Sequence, residues 1–355
     1  MSEQLTRTDK EWHERRRKVI GASDAGALMN CDPYRNRGNL WLEKTGRLEP
    51  SKDTKHTRRG TALESAILHL FEMEQGVEVE RGLYVRRGLF AAELDGAVVN
   101  RSCIALGIPG YSKDLDAYLD IPVGALDMIV EAKSAATVIS RQTEEPDAEI
   151  VIDPGWGRGT DEVPFRVICQ ATVQMYAGNC QVHRVPVFSL GFRSFDFEIK
   201  HVRWDAELME MIEEAGDKFW GYVQSDTPPP NAVPTLDALK RRIREPKSFR
   251  RLDESALAVY ERFSTVNKER IALEKQEAEL QAAAIALLGD DEEGILPDGR
   301  NLRYMLQKGQ WTTDRDLLLA TLRRLGEPRM YDEIMHQGEH RTFRCVNAKV
   351  GAKKR

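Results

Sequence analysis

LDMIVEAKS, residues 126–134, is an apolar strand-type run that abruptly presents an acid and a lysine. Side chains alternate across a strand with a period of two. Asp127, Ile129, Glu131 and Lys133 are therefore expected on one face, and Met128, Val130 and Ala132 on the other. An acid and an amine projecting together from such a strand are costly to bury unless they pair or bind something charged. Taken alone, the Glu-x-Lys pattern fits an ordinary edge-strand ion pair; its company along the chain decides what it does.

Upstream, GVEVERGLYVR (76–86) and GLFAAELDGAVV (88–99) read as further strands, preceded by RRGTALESAILHLFEMEQ (58–75), a helix with Leu63, Ile67, Leu70 and Phe71 on one face and Gly76 as its stop. Downstream, PFRVICQATVQMYA (164–177) regains helical spacing behind a proline suited to a helix start. A strand pair follows in HRVPVFSLGFRSFDFEIKHVRW (183–204), then a helix from about Asp205 to Val223, closed by Pro228, Pro229 and Pro230. Strands and helices in this order predict an α/β or α+β core with a mixed central sheet. We place its domain at residues 1–230 and a C-terminal appendage at 231–355.

The appendage opens with a basic stretch, KRRIREPKSFRR (240–251). Val259, Val266, Leu273, Leu280 and Leu287 then recur at intervals of seven, while Phe263, Arg270, Glu277 and Ala284 between them are mixed. One long helix is expected, packing as a hairpin or against a neighbouring protomer, with Gly289 ending it. ILPDGRNLRYMLQKG, a helix after Trp311 and RTFRCVNAKV read as a small strand-helix-strand unit with a basic KKR tail.

The chain has 355 residues, 41% of them hydrophobic and 31% charged, with a formal net charge of −5. No apolar run is long enough to cross a bilayer, and MSEQLTRTDKEW carries no secretory signal, so a cytoplasmic, non-membrane protein is expected. The five cysteines, at 31, 103, 169, 180 and 345, are scattered and never spaced as CxxC, which speaks against a disulfide framework or a zinc site. GWGRG (155–159) lacks the Gly-Lys-Ser/Thr of a phosphate-binding loop, so ATP use is unsupported. The acidic balance leaves nucleic acid open as a partner, since one basic stripe beside an acidic site suffices.

Two further acids accompany Glu131 and Lys133. Asp95 ends an apolar run in AAELDGAVV, and Glu64 interrupts the apolar face of its helix. Singly, these read as an Asp-Gly turn and a dipole-favouring helix acid. Together, separated carboxylates beside a lysine suit Mg²⁺ or Mn²⁺, hard cations that take oxygen ligands from a few carboxylates and from substrate phosphates.

An ordered set of motifs then resembles a known family. WHxxR (Trp12, His13, Arg16), VIGASDA (19–25), RGxxLE (59–64), LDG (94–96), VEAK (130–133) and Gln170 in CQATVQM are similar to the YqaJ-type viral recombinases. That family includes phage lambda exonuclease and belongs to the PD-(D/E)xK nuclease superfamily. The similarity covers roughly residues 10–225, with Trp156 and Pro164 also matching the approach to the Gln170 helix.

The resemblance implies a restriction-endonuclease-like mixed sheet flanked by helices. It also implies metal-dependent hydrolysis of double-stranded DNA to 5′-phosphates, as a 5′-to-3′ exonuclease in recombination. An endonuclease, or a DNA-binding scaffold of the same fold without cleavage, remains an alternative. By the same resemblance Asp95 and Glu131 are carboxylate ligands of Mg²⁺ or Mn²⁺, and the backbone carbonyl of Ala132 completes the set. Lys133 positions or activates the water, Glu64 sits beside the metal, and Gln170 holds the acid or the scissile phosphate.

Asp127 rivals Asp95 as the ligand, because a long insertion separates LDG from VEAK and because Asp127 counts to the Glu131 face. At Thr172 relatives often carry a second glutamine. Partners implied are a single-strand annealing protein and further copies of the chain in a ring trimer.

One stretch remains, the small-residue turn GASD (21–24) directly after the basic run ERRRK (14–18). Ser23 or Asp24 could simply cap a helix. With the resemblance, Arg16 and Ser23 become the grip on a DNA 5′-phosphate.

Overall fold

The computed structural model describes residues 10–49, 55–100, 102, 123–138, 151–152, 155–190, 195–245, 249–305 and 315–324. Most of the insertion at 101–124, the RTFRCVNAKV segment and the KKR tail lie outside them.

The mixed sheet flanked by helices is present. A first unit runs to Arg244. It starts with α1 (Lys10–Arg17), the short strand β1 (Ile20–Gly21), a tight turn over Ala22–Asp24, α2 (Ala25–Leu28) and α3 (Arg37–Lys44). Next come α4 (Lys55–Gln75), β2 (Glu80–Arg87), β3 (Phe90–Val99), β4 (Leu126–Val130), β5 (Lys133–Val138) and β6 (Val151–Ile152). The unit continues with α5 (Phe165–Ala177), β7 (Val182–Leu190), β8 (Phe195–Arg203), α6 (Ala206–Gln224) and α7 (Leu236–Arg241).

The strands form one 8-stranded sheet in the order β1-β3-β4-β7-β5-β6, with β2 beside β3 and β8 beside β7. The LDMIVEAKS segment is one path along β7, with Ile129 opposite His183, Val130 opposite Arg184 and Lys133 opposite Val187. Glu131 and Ala132 interrupt it, and there the segment leaves β3.

Each face of the sheet buries its own cluster. Ile20, Leu40, Phe90, Leu94, Ile129, Met175, Ile212 and Phe219 fill the larger one, under α3, α5 and α6. Leu68 and Phe71 of α4 close the other over Val79 and Val130. The apolar side chains of α4 and α5 at helical spacing find their buried faces here, which is the main source of stability for such helices.

Along β3, Phe90, Ala92 and Leu94 face the larger cluster, but beyond Asp95 the alternation slips, so that Ala97 joins that cluster and Val98 packs on the smaller. Gly96 permits the slip: a Cβ there would stand 2.3 Å from Val79 Cγ1.

The first unit reaches past the proline run at 228–230 where sequence placed the boundary. Asn39 and Thr235 exchange hydrogen bonds, each 2.8 Å long. Glu49 N–H donates to the Arg241 carbonyl at 3.0 Å, and a Cβ on Gly38 would strike the Ala232 carbonyl oxygen.

The second unit holds α8 (Glu254–Ala286), a hairpin of β9 (Glu293–Ile295) and β10 (Asn301–Arg303), and α9 (Arg315–Arg324). The Asp253 carboxylate accepts from Ala256 N–H to cap α8, and Gly289, at φ +60°, stands just beyond its end. Val259, Val266, Leu273 and Leu280 stand exposed along α8, and Leu287 is exposed just beyond its end. Among the described residues no helix is long and apolar enough to cross a membrane.

Candidate active site

The site lies where β3 and the LDMIVEAKS path part. β1 pairs with β3 at Phe90 and Ala91, and β4 pairs with it from Gly96 onward. Between them the edge of β3 is left open beside Asp95. The chain bridges that gap with a side chain: Ala132 N–H donates to Asp95 Oδ2 at 3.0 Å.

Glu131 is only 3% exposed and points toward α5. Its Oε1 accepts from Lys133 Nζ and, at 2.6 Å, from Gln170 Nε2. Its Oε2 accepts from Gln174 Nε2 at 2.5 Å. Gln170 and Gln174 stand one turn apart on α5, so both amides reach the same carboxylate. The Gln174 amide oxygen lies 2.8 Å from Nε2 of the fully buried His183.

These groups perturb one another. Burial, the Glu131 charge and then Glu64 push the Asp95 carboxyl well above the ordinary range, against Lys133 and the Ala132 N–H. Burial would raise Glu131 too, but the adjacent Lys133 ammonium and the donated hydrogen bonds hold it below the usual value. Lys133 is shifted upward, because Glu131 and Asp95 outweigh the effect of its burial. Burial drives the His183 imidazole down to about 4. One acid is thus held ionised and its neighbour is reluctant to ionise, an arrangement often found at functional sites.

Asp95, Glu131, Ala132, Lys133 and Gln170 stand together here, and Glu64 stands on α4 close enough for its charge to act on Asp95. Asp127 does not converge. Val98 pairs with Met128 and Val99 with Leu126, so Asp127 is the extra residue of a β-bulge. It is exposed and its carboxylate accepts from Asn100 Nδ2 at 3.4 Å. Counting faces by twos through residues 126–134 fails at that bulge.

Thr172 donates to the Ile168 carbonyl at 2.9 Å within α5, and the second glutamine is Gln174. Its four-residue spacing from Gln170 was a visible signal. His183 had none, because only the pairing of β4 with β7 brings it there.

A second polar centre surrounds the GASD turn. Asp24 is fully buried and accepts from Arg16 at 2.8 Å, Arg35 at 3.0 Å, Lys44 at 2.6 Å and Gly21 N–H at 3.0 Å. Burial would raise its carboxyl, but Arg16, Lys44 and Arg35 hold it far below the carboxylate range. Glu43 lies 2.9 Å from Arg35. The exposed Ser23 Oγ is 3.4 Å from both terminal nitrogens of Arg16, whose guanidinium also lies 4.9 Å from the Trp12 ring centroid. Asp24 makes no side-chain cap bond to α2 and acts as the hub of these cations instead.

Residues 11–181 match the YqaJ-like viral recombinase domain. A protein of Bacillus subtilis (strain 168), described only as uncharacterized protein YqaJ, is 26% identical over 287 residues, 77% of this chain and 74% of its own. Among solved structures, an alkaline exonuclease from Laribacter hongkongensis shares 16% identity, covering 61% of this chain and 94% of its own, with a TM-score of 0.39. A phage related exonuclease from Haemophilus somnus 129PT shares 12% identity, covering 59% of this chain and 96% of its own, with a TM-score of 0.37.

Proposed function

We propose that this chain, whose residues 11–181 match the YqaJ-like viral recombinase domain, is a metal-dependent deoxyribonuclease that hydrolyses double-stranded DNA to 5′-phosphates. It works as a 5′-to-3′ exonuclease in recombination, in the cytoplasm. The observation that carries this reading is the meeting of Asp95, Glu131 and Lys133 at the open edge of β3.

The donor set suits a hard cation. Two carboxylates, Asp95 of β3 and Glu131 at the break after β4, and the Ala132 carbonyl are available, and Mg²⁺ asks little more of a site that also receives substrate phosphate and water. Among the described residues no three His, Cys, Asp or Glu side chains form a metal-holding group. The raised carboxyl of Asp95 is a cost that a cation would relieve. When bound between Asp95 and Glu131, Mg²⁺ or Mn²⁺ would supply Lewis-acid neutralisation of phosphate charge.

The chain's own residues do the rest. Lys133 orients the attacking water, and Gln170 and Gln174 hold Glu131 in place. Glu64, on α4, sits beside the metal, close enough for its charge to act on Asp95. Arg16 and Ser23 grip the 5′-phosphate of the duplex end, with Asp24 keeping the cations in register. A single-strand annealing protein as partner, and ring assembly as a homo-trimer, belong to the same reading by family resemblance.

Incubation of linear and covalently closed circular duplex with the protein, in Mg²⁺ and in EDTA, tests this function. Linear DNA should be degraded in Mg²⁺ only, with the closed circle intact. Linearisation or nicking of the circle would make the protein an endonuclease, and an intact linear substrate in Mg²⁺ would remove the nuclease reading.

A further inference from the structure

Behind Glu131 stand Gln174 and His183, to which the proposed reaction gives no contact with water or phosphate, and the order of their donors and acceptors is forced. An ionised carboxylate only accepts, so the Gln174 atom 2.5 Å from Glu131 Oε2 is the amide nitrogen. The amide oxygen then faces His183, 2.8 Å from Nε2, and that ring nitrogen carries a proton. His183 Nδ1 is buried without a partner. An unpaired N–H⁺ there would be far costlier than a lone pair, so the ring is the neutral Nε2–H tautomer.

We infer that Gln174 and His183 are positioning residues that aim the Glu131 carboxylate at the metal. The inference rests on the metal-dependent reading above. His183 Nε2–H fixes the Gln174 amide, Gln174 N–H fixes Oε2, and Lys133 with Gln170 fix Oε1. The relay joins β7, α5 and the break after β4, so the carboxylate is referenced to the rigid sheet. Without the imidazole, the amide is free to turn over. Its oxygen would then oppose Oε2, acceptor against acceptor, and the carboxylate would swing from its aim. Groups that orient a metal ligand in this way typically govern about 10- to 100-fold in metal affinity or activity.

Binding of Mn²⁺ to the full chain, followed by the electron paramagnetic resonance signal of the free ion, tests the relay. Wild type, Glu131→Gln, Gln174→Met, His183→Leu and His183→Gln would be compared, with cooperative thermal unfolding as the check on folding.

Wild type should bind and Glu131→Gln should not. Gln174→Met and His183→Leu should each weaken Mn²⁺ about 10- to 100-fold, and lower kcat with KM for DNA held. His183→Gln places an amide N–H where Nε2–H stood and should restore binding to within a few-fold of wild type.

If Gln174→Met and His183→Leu bind Mn²⁺ as wild type does, the relay is wrong and the metal site stands. Loss in His183→Leu without rescue in His183→Gln would make His183 a packing residue and overturn its role. Should His183→Leu not fold, Gln174→Met decides by the same criterion. Failure of wild type to bind Mn²⁺, or unchanged binding in Glu131→Gln, would overturn the metal reading and the relay with it.

Discussion

Ala132 donates its backbone N–H to Asp95 Oδ2 at 3.0 Å, tying two strands together just past the point where they stop pairing as a sheet. Beyond Gly96 opposite Val130 the ladder ends, and a side chain takes the place of its next rung. The Asp95 carboxylate is thereby held beside Glu131 at an open sheet edge. The separation of LDG and VEAK in sequence does not matter to this geometry, because the strands meet again at their motif ends.

Lys133 donates from its ammonium to the Glu131 carboxylate, and the charges of Glu131 and Asp95 hold that ammonium protonated despite its burial. Lys133→Met should lower kcat by about 10²- to 10⁴-fold, the range for losing a group that handles the proton or the water. Duplex binding in a gel-shift assay should change little. A variant that cleaves at the wild-type rate would remove Lys133 from the chemistry.

The bulge that turns Asp127 outward separates the rival ligands. Asp127→Ala should cleave within two- to three-fold of wild type, as expected of an exposed surface change (on the order of ±0.5 kcal/mol). Asp95→Asn should abolish cleavage while the fold persists. Equal activity of the two variants in a steady-state assay would contradict the assignment.

Much of this centre was legible in the sequence. Pro164 marked the start of α5, Gly76 stands just past the end of α4 at φ +63°, and the acid-lysine pair stood out from its apolar run. Three features were not legible, each for a physical reason. The bulge at Asp127 depends on register with β3, which no local pattern encodes. His183 meets Gln174 only because β7 runs parallel to β4. Asp24 collects Arg16, Arg35 and Lys44 across a tertiary contact, where sequence showed only a small acid near a basic run. The boundary at 230 was set by its prolines, yet the chain beyond them returns through Thr235 to Asn39.

Asp24 is bonded to all three of Arg16, Arg35 and Lys44. Asp24→Asn should lower stability by about 3–5 kcal/mol, the usual result of leaving buried charges without their partner. It would be read as a lower urea midpoint with an unchanged slope. An unchanged midpoint would show that solvent reaches the cations.

Arg16→Ala probes the same cluster from the substrate side. It should slow digestion of 5′-phosphorylated duplex several-fold more than that of 5′-hydroxyl duplex, in paired initial-rate measurements. Equal slowing of both substrates would place Arg16 on the DNA backbone rather than on its end.

His183 gives a pH dependence whose sign is set. Its ordinary value near 6.5 falls to about 4 in the folded chain through burial. Between those values the unfolded chain holds a proton that the folded chain lacks, so stability falls as pH drops from 6.5 toward 4. The loss is on the order of 3 kcal/mol across that window. His183→Gln should lose that part of the slope, and the comparison of urea midpoints at pH 7, 5.5 and 4.5 isolates it. Parallel curves for the two proteins would mean that His183 is protonated in the folded state or solvated.

The most direct test of the metal-dependent reading is the release of nucleotides from a 5′-phosphorylated linear duplex by wild type and by Glu131→Gln, each with Mg²⁺ and with EDTA. Wild type with Mg²⁺ should release 5′-mononucleotides, while EDTA or the substitution should stop release, with the variant still folded and still binding the duplex. Release by Glu131→Gln at the wild-type rate, or by wild type in EDTA, would contradict it.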